Sequence, residues 1–117
     1  MKILITGGAS FIVSHLCEKY ASKGKTVFCL DNFENGDLRN IYGLITNKNF
    51  KLIHGDIRDS HVLEKITPHV DAIIHLAAQN HVERSIIEPK ITYDVNVLGT
   101  FNVLEVARAH DMNNQYC

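Results

Sequence analysis

Residues 6–15 have the sequence TGGASFIVSH. A short run of apolar and β-branched residues, 2–6, precedes them, and apolar side chains recur at helical spacing after them until Gly24. A strand that ends in a glycine turn and continues into a helix can present backbone N–H groups to an anion. The stretch therefore predicts a strand, a phosphate-binding turn and a helix at the start of a parallel α/β sheet.

The rest of the chain alternates between strand-like and helix-like segments. Apolar and β-branched runs predict further strands at residues 26–30, 51–54 and 72–76. Helical spacing predicts a short helix at 38–45, a helix that reaches residue 66 from a cap at Asp59 or Ser60, and a longest helix of about five turns from Pro89.

Strands joined by helical crossovers form a parallel sheet with helices on both faces. We therefore expect one α/β domain over residues 1–117, with a Rossmann-like, doubly wound sheet of about four strands that is truncated where a further strand would follow. The last predicted strand would have an uncovered edge around residues 72–74, which favours self-association of the chain.

The composition excludes several classes of protein. Among 117 residues, 12 are Lys or Arg and 13 are Asp or Glu, so the net charge of −1 provides no basic field for a nucleic acid or a membrane surface. No apolar stretch approaches the roughly 18 to 20 residues that span a bilayer, and we expect a cytoplasmic protein. The seven histidines show no ligand spacing with one another or with cysteine, so no metal site is predicted.

The glycine turn resembles that of the extended short-chain dehydrogenase/reductase family, whose loop is commonly TGGAGFIGSH. The resemblance implies that the turn binds the pyrophosphate of NAD through Gly7, Ser10, Phe11 and Ile12. Two family glycines are replaced here, by Ser10 and Val13. The Cβ of serine narrows the approach of a pyrophosphate, and valine overpacks the closest contact of helix and strand at a cost of about 1–3 kcal/mol. We therefore expect weak NAD binding.

The second predicted strand ends in a carboxylate. Asp31 stands where a carboxylate can accept hydrogen bonds from both hydroxyls of the adenosine ribose and would repel a 2′-phosphate, so it favours NAD over NADP. Residues 31–36, DNFENG, also resemble the DNxxxG stretch of nucleotide-sugar epimerases and dehydratases. That resemblance implies that Asn32, Asn35 and Gly36 wrap the adenosine.

Two motifs after the third and fourth strands continue the resemblance. Residues 55–59, GDIRD, are similar to a family turn in which Asp56 would accept from the adenine amino group and the Ile57 backbone would address the ring edge. Residues 75–78, HLAA, match the family pattern that lets the backbone pass close to the ribose and pyrophosphate. This implies contacts from Leu76, Ala77, Ala78, Gln79 and Asn80.

The final motifs resemble one branch of the family in particular. Residues 80–86, NHVERSI, look most like the SHVDRSI segment of dTDP-glucose 4,6-dehydratases, and residues 93–100 resemble the family's NVxGT helix. By that resemblance Val95 and Asn96 would lie at the nicotinamide side of the site. Asn96 would hold backbone or water in place.

The resemblance implies the NAD-binding portion of a nucleotide-sugar 4,6-dehydratase or epimerase, which acts by transient hydride transfer to bound NAD. Such enzymes deprotonate the sugar hydroxyl with the tyrosine of a YxxxK pair, and no tyrosine here has Lys four places on. We therefore predict no catalytic residue, a nucleotide sugar as the substrate of the full-length relative, and an inactive isolated chain. Two alternatives stay open: a noncatalytic nucleotide-binding or protein-interaction module with a degenerate phosphate loop, and a Rossmann-like fold without a ligand.

Overall fold

The computed structural model describes residues 1–7, 10–33, 37–79 and 82–110. In these residues four parallel strands form one sheet in the order β3-β2-β1-β4. The strands are β1 (Lys2–Thr6), β2 (Thr26–Asp31), β3 (Phe50–His54) and β4 (Ala72–His75). The predicted strands are thus confirmed to within one residue at each end.

Helices lie between the strands and after the last of them. They are α1 (Phe11–Ser22), a 3₁₀ helix (Leu38–Leu44), α2 (Ser60–Ile66) with a 3₁₀ turn (Thr67–His69), α3 (Val82–Ile87), α4 (Pro89–Tyr93), a π-turn (Asp94–Leu98) and α5 (Gly99–Ala109). The side chains of Ser10, Asp37 and Asp59 cap α1, the first 3₁₀ helix and α2 by accepting a backbone N–H. No helix among the described residues has the length and apolar character needed to cross a membrane.

Two helical predictions need correction, and one helix was not predicted. The segment 38–45 is a 3₁₀ helix because Asp37 closes a tight first turn, in which its carbonyl accepts from Asn40 N and its carboxylate from Arg39 N. The helix α3 escapes prediction because it buries no residue, so its sequence carries no apolar period that marks a core face. The single helix expected from Pro89 is divided by the π-turn, which contains Val95 and Asn96.

The sheet has a hydrophobic cluster on each face. Leu4 of β1 points into a cluster with α2 and α5, whose members include Leu63, Ile66, Val103 and Val106. Ile3 and Ile5 point to the opposite face, into a cluster with α1 and the first 3₁₀ helix, whose members include Val13, Cys17, Ala21 and Ile41. Since alternate side chains of a strand project to opposite faces, β1 is covered on both sides. This confirms the doubly wound, Rossmann-like arrangement.

Strand β4 forms one edge of the sheet. It pairs with β1 on one side, and no other strand of the described ranges pairs with its second side. An edge of this kind offers unpaired backbone groups to another chain. Self-association at this edge stays a prediction.

Candidate functional site

A cavity of about 430 Å³ opens at the carboxyl ends of the four strands. Residues that end or follow each strand line it, and the N-terminus of α1 and one residue of the π-turn complete its wall. The lining residues are Gly7, Ser10, Phe11, Ile12, Val13, Leu30, Asp31, Asn32, Gly55, Ile57, Leu76, Ala77, Ala78, Gln79 and Val95. In parallel α/β sheets, this is the edge at which ligands bind.

The cavity brings together most of the residues that the sequence predicts for a cofactor site. Those in its wall are Gly7, Ser10, Phe11, Ile12, Asp31, Asn32, Ile57, Leu76, Ala77, Ala78, Gln79 and Val95. Asp56 and Asn96 do not line the cavity but are hydrogen-bonded to residues that do. Asn35, Gly36 and Asn80 lie outside the described residues. Contact of these residues with a cofactor stays a prediction.

Three lining residues are not among the predicted contacts. Val13 was expected only as a packing obstacle, whereas Leu30 and Gly55 stand directly before the strand-end acids Asp31 and Asp56. A Cβ on Gly55 would lie 3.0 Å from Leu30 Cδ1, so the glycine leaves room for that side chain in the cavity wall. The position before each acid is the signal that could have identified both residues.

Gly7 brings the turn after β1 against the segment after β4. Its φ is +79°, and a Cβ on Gly7 would lie 3.0 Å from both Cα and N of Ala77. Its own N–H donates to Leu30 O at 2.8 Å. Gly7 is therefore in contact with both neighbouring strand ends, and only a residue without a side chain fits there.

Ser10 fits the turn without backbone strain. Its φ and ψ of −72° and 158° lie in the region that any residue adopts, so no glycine is required for the backbone. The hydroxyl instead caps α1, because Oγ accepts from Val13 N at 3.3 Å. The N–H of Val13, which a helix N-terminus could otherwise offer to an anion, is therefore hydrogen-bonded to the serine hydroxyl.

Val13 belongs both to the core and to the cavity wall. It is 8% exposed and packs in the cluster that contains Ile3, Ile5 and Cys17. Around it α1 forms a continuous helix of 12 residues. The overpacking cost expected from the sequence stays a prediction.

Asp31 holds the turn that follows β2. Its side chain is buried, and Oδ1 accepts from Phe33 N at 2.7 Å. Phe33 has a φ of +63°, an unusual conformation for a bulky residue, and its ring packs edge-on against His54 with centroids 5.3 Å apart. The carboxylate therefore stands at the cavity with its position fixed by a tight turn.

Asp56 has both carboxylate oxygens engaged. Arg58 donates from Nε and from its backbone N to Oδ1, at 3.0 and 2.8 Å, and from Nη2 to Oδ2 at 2.6 Å. Asn32 Nδ2 also donates to Oδ2, at 3.1 Å. The hydrogen bonds from the Arg58 side chain contribute most to lowering the pKa of Asp56 to about 2. An adenine amino group would have to share these oxygens, so the predicted adenine contact stays a prediction.

The low pKa of Asp56 makes a prediction for acid stability. A carboxyl whose pKa is lowered on folding adds stability above its ordinary pKa of 3.8, and this is lost as the pH falls towards about 2. Urea unfolding is therefore expected to show a steep loss of stability between about pH 4 and pH 2 that Asp56→Asn reduces. The matched control is Asp37→Asn, because Asp37 makes the same contacts to Arg39 on the exposed surface. An equal reduction by the two variants would contradict a special role of Asp56.

Asn96 holds the backbone of Gln79 with both ends of its amide. Gln79 N donates to Oδ1 at 2.7 Å, and Nδ2 donates to Gln79 O at 2.9 Å. Asn96 lies in the π-turn, where Gly99 N donates to Asp94 O, five residues back. Such wider turns interrupt α-helices at functional sites. The structure shows the backbone contact expected of Asn96, and its place near a nicotinamide stays a prediction.

The helix α5 also holds the segment after β3. Asn102 Nδ2 donates to the carbonyls of Ile57 and Arg58, at 3.0 and 3.2 Å. A Cβ on Gly99 would lie 2.5 Å from Ile57 Cδ1, so the helix packs directly on a side chain of the cavity wall. The sequence gives no signal for these two contacts, since they join residues more than 40 positions apart.

The polar groups of the cavity suit binding. The polar side chains in its wall belong to Ser10, Asp31, Asn32 and Gln79. They can receive an anion near the N-terminus of α1 and hydroxyl groups near Asp31. Within the described ranges, no group of three or more His, Cys, Asp or Glu side chains is placed to hold a metal ion.

The chain is similar to enzymes that act on nucleotide sugars. It is 41% identical over 112 residues to a putative UDP-glucose 4-epimerase of Methanocaldococcus jannaschii, and the match covers 95% of this chain and 35% of the relative. It is 39% identical over 114 residues to the dTDP-glucose 4,6-dehydratase of Escherichia coli, with 94% of this chain and 32% of that enzyme covered. The chain thus spans about a third of the length of these relatives.

Solved structures show the same fold. The dTDP-glucose 4,6-dehydratase DesIV of Streptomyces venezuelae, with NAD and TYD bound, has a TM-score of 0.89 and 34% identity over 95% of this chain and 37% of that one. The UDP-glucose 4-epimerase of Thermus thermophilus in complex with NAD has a TM-score of 0.82 and 33% identity over 96% of this chain and 35% of that one. The GDP-mannose 4,6-dehydratase family matches residues 4–117, and the chain belongs to this family of extended short-chain dehydrogenases/reductases.

Proposed function

We propose that the chain is the NAD-binding portion of a nucleotide-sugar 4,6-dehydratase or epimerase, and that residues 1–117 form one NAD-binding domain. The observation that carries the proposal is the cavity at the carboxyl ends of the strands. It joins the glycine turn at the N-terminus of α1 to the carboxylate of Asp31, and relatives of the same fold hold NAD.

The cavity residues fit the parts of a dinucleotide. Gly7 and Ser10 line the cavity beside the N-terminus of α1, where the anionic pyrophosphate would be stabilised. Asp31 would accept from the ribose hydroxyls of the adenosine, and its charge would repel a 2′-phosphate. Val95 and Gln79 would face the nicotinamide end, with Asn96 fixing the Gln79 backbone.

The isolated chain is proposed to be inactive. NAD, when bound, supplies the hydride acceptor, and a base must remove the proton of the sugar hydroxyl. The chain contains no tyrosine with Lys four places on, so it lacks the pair that performs this step in enzymes it resembles. The nucleotide sugar is therefore proposed as the substrate of a longer relative.

A second candidate function is a noncatalytic nucleotide-binding or protein-interaction module. It is favoured by apolar side chains that α3 and α5 leave in solvent, such as Ile86, Ile87 and Phe101, which are 75%, 77% and 56% exposed. Large apolar surfaces of this kind mark contacts with another polypeptide. The open edge of β4 is a second place where another chain, including a second copy, could pair.

Titration of NAD by calorimetry tests the proposed function. The chain is expected to bind NAD weakly and NADP more weakly still. The double variant Ser10→Gly/Val13→Gly is expected to bind NAD roughly tenfold more tightly, a gain of about 1.4 kcal/mol, because the Val13 N–H is released to the phosphate and the turn is widened.

The control for the double variant is Ser22→Gly, at the other end of α1, where Oγ only donates to Lys19 O. It should leave the affinity for NAD unchanged. An absence of NAD binding by both the chain and the double glycine variant would overturn the proposed function and favour the noncatalytic module. Equal binding by these two would overturn the account of the turn.

A further inference from the structure

His75, the last residue of β4, lies between two threonine hydroxyls. Its Nδ1 is 2.7 Å from Thr6 Oγ1, and its Nε2 is 2.9 Å from Thr100 Oγ1. Thr6 ends β1, and Thr100 lies in the first turn of α5. The imidazole therefore connects the sheet to the helix at the strand ends where the cavity opens.

The neighbouring contacts determine which ring nitrogen carries the proton. Thr100 Oγ1 lies 2.6 Å from Asn96 O, a carbonyl that can only accept, so the Thr100 hydroxyl hydrogen is used there. Toward Nε2 the same oxygen must accept, which requires an Nε2–H group on His75. In a neutral imidazole Nδ1 is then bare, and it accepts the hydroxyl hydrogen of Thr6.

The Thr6 oxygen completes the chain of hydrogen bonds at the cavity wall. Its lone pairs accept from Leu76 N at 3.0 Å and from Ala77 N at 3.1 Å. Leu76 and Ala77 line the cavity, and Thr6 itself is fully buried. Every donor and acceptor of the series is used when His75 is the neutral Nε2–H form. A second proton on Nδ1 would face an oxygen with no lone pair left.

The surroundings of His75 favour the neutral form. In the described residues β1 and α5 pack against β4, and they present His75 with the uncharged hydroxyls of Thr6 and Thr100. The charged residues of these elements lie elsewhere, with Lys2 at the opposite end of β1 and Glu105 paired with Arg108 further along α5. Burial lowers the pKa of His75 below its ordinary value of 6.5.

We propose that His75, held between Thr6 and Thr100 as the neutral Nε2–H tautomer, is a positioning residue that fixes the cavity-wall backbone of Leu76 and Ala77 to helix α5. The inference rests on the proposed function in one respect, namely that this backbone is part of an NAD site. The same series of hydrogen bonds continues through Asn96. Its backbone carbonyl accepts from the Thr100 hydroxyl, and its side-chain amide bonds to the backbone of Gln79. Hydrogen bonds from Asn96 and Thr100 would thus fix the position of the segment from His75 to Gln79.

The tautomer can be measured on the wild-type chain without a ligand. Two-bond ¹H–¹⁵N correlation spectra separate the Nε2–H form, the Nδ1–H form and the imidazolium. His75 is expected to stay in the Nε2–H form below pH 6.5, the ordinary pKa of a histidine. Detection of His75 as the Nδ1–H form, or as an imidazolium that is already half-formed at pH 6.5, would overturn the proposal.

Substitutions of Thr100 on α5 and of Thr92 on α4 test the positioning role. Thr100→Val removes the acceptor of Nε2–H and is expected to shift the amide resonances of Leu76 and Ala77 and to weaken NAD binding roughly fivefold, the factor that one hydrogen bond contributes. Thr100→Ser should restore both. The matched control is Thr92→Val, because in the described part of the chain Thr92 Oγ1 is buried without a hydrogen-bond partner.

The outcomes separate this inference from the proposed function. If the wild-type chain binds NAD and Thr100→Val binds it as well as Thr92→Val does, the positioning role is wrong and the NAD site stands. If the wild-type chain binds no NAD, the proposed function fails. The His75 tautomer and the Leu76 and Ala77 amide resonances then still test whether the hydrogen bonds from Thr6 through His75 to Thr100 exist. A loss of fold in Thr100→Val that Thr100→Ser does not reverse would contradict the proposal.

Discussion

Gly7→Ala is expected to lower the free energy of unfolding by about 2–5 kcal/mol and to remove measurable NAD binding. A side chain at the observed φ of +79° costs about 1–2 kcal/mol. The new Cβ would also lie 3.0 Å from Cα and N of Ala77, which are backbone atoms that cannot rotate away, and such overpacking costs about 1–3 kcal/mol. Relief requires movement of the Ala77 backbone, which is the cavity wall itself.

Gly24→Ala is the matched control for this substitution. Gly24 has nearly the same φ, +81°, but no atom of the described residues lies within 4 Å of a Cβ built on it. Only the conformational cost of about 1–2 kcal/mol is expected there, with NAD affinity unchanged. Urea unfolding and NAD titration of the two variants separate the cost of the contact with Ala77 from the conformational cost that both variants share. If the variants lose equal stability, the contact of Gly7 with Ala77 imposes no constraint.

The strands could be predicted closely because a parallel strand is coded by its own residues. In β1, Ile3, Leu4 and Ile5 are all buried since both faces of the sheet are covered, and this produces an uninterrupted apolar run in the sequence. Gly7 and Asp31 were likewise predictable as cavity residues. Each directly follows or ends such a run, and the carboxyl ends of parallel strands lie at one edge of the sheet.

The turn after β1 shows what a motif can and cannot predict. The sequence correctly indicates that Ser10 lies at the cavity, whereas Val13, expected only as a packing obstacle, lines the cavity as well. It does not show that Ser10 adopts an extended backbone and caps α1, because the cap depends on where the hydroxyl points. Ser10, expected as a steric obstacle, therefore also competes with an anion for the Val13 N–H.

The contacts of α5 could not be predicted from the sequence. The π-turn has no sequence pattern of its own, and Asn96 within it contacts Gln79, 17 residues away. Asn102 reaches the carbonyl of Ile57 across 45 residues. Side chains that hold a distant backbone are specified by the fold as a whole. They are visible only once the helix and the strand ends are placed together.

Asn96→Asp is expected to lose stability as the pH rises from 4 to 7, the opposite of what a carboxyl with a lowered pKa does. In the wild-type chain the amide donates to Gln79 O and accepts from Gln79 N. An ionised carboxylate can only accept, so Gln79 O would lose its donor and face a negative charge, at a cost of about 1–3 kcal/mol or more. A protonated carboxyl keeps both contacts, because one oxygen donates and the other accepts. The pKa of the introduced group is therefore expected to lie above the ordinary value for Asp.

The sign of the effect follows from this raised pKa. A group whose pKa rises on folding adds stability below its unfolded value of about 3.9, and this stability is lost as the pH rises through the folded value. The difference in the free energy of unfolding between wild type and variant should thus be small near pH 4 and grow toward pH 7. NAD affinity should decline over the same range, since Gln79 lines the cavity.

Asn47→Asp is the control for the reversal. The side-chain oxygen of Asn47 accepts from Asn49 N at 2.8 Å, and aspartate keeps that contact when ionised. Its stability relative to wild type should therefore not fall as the pH rises. A further variant, Asn96→Leu, loses both contacts to Gln79 and should be destabilised at every pH. If Asn96→Asp is as strongly destabilised as Asn96→Leu at pH 4, the protonated carboxyl does not donate to Gln79 O and the prediction is wrong.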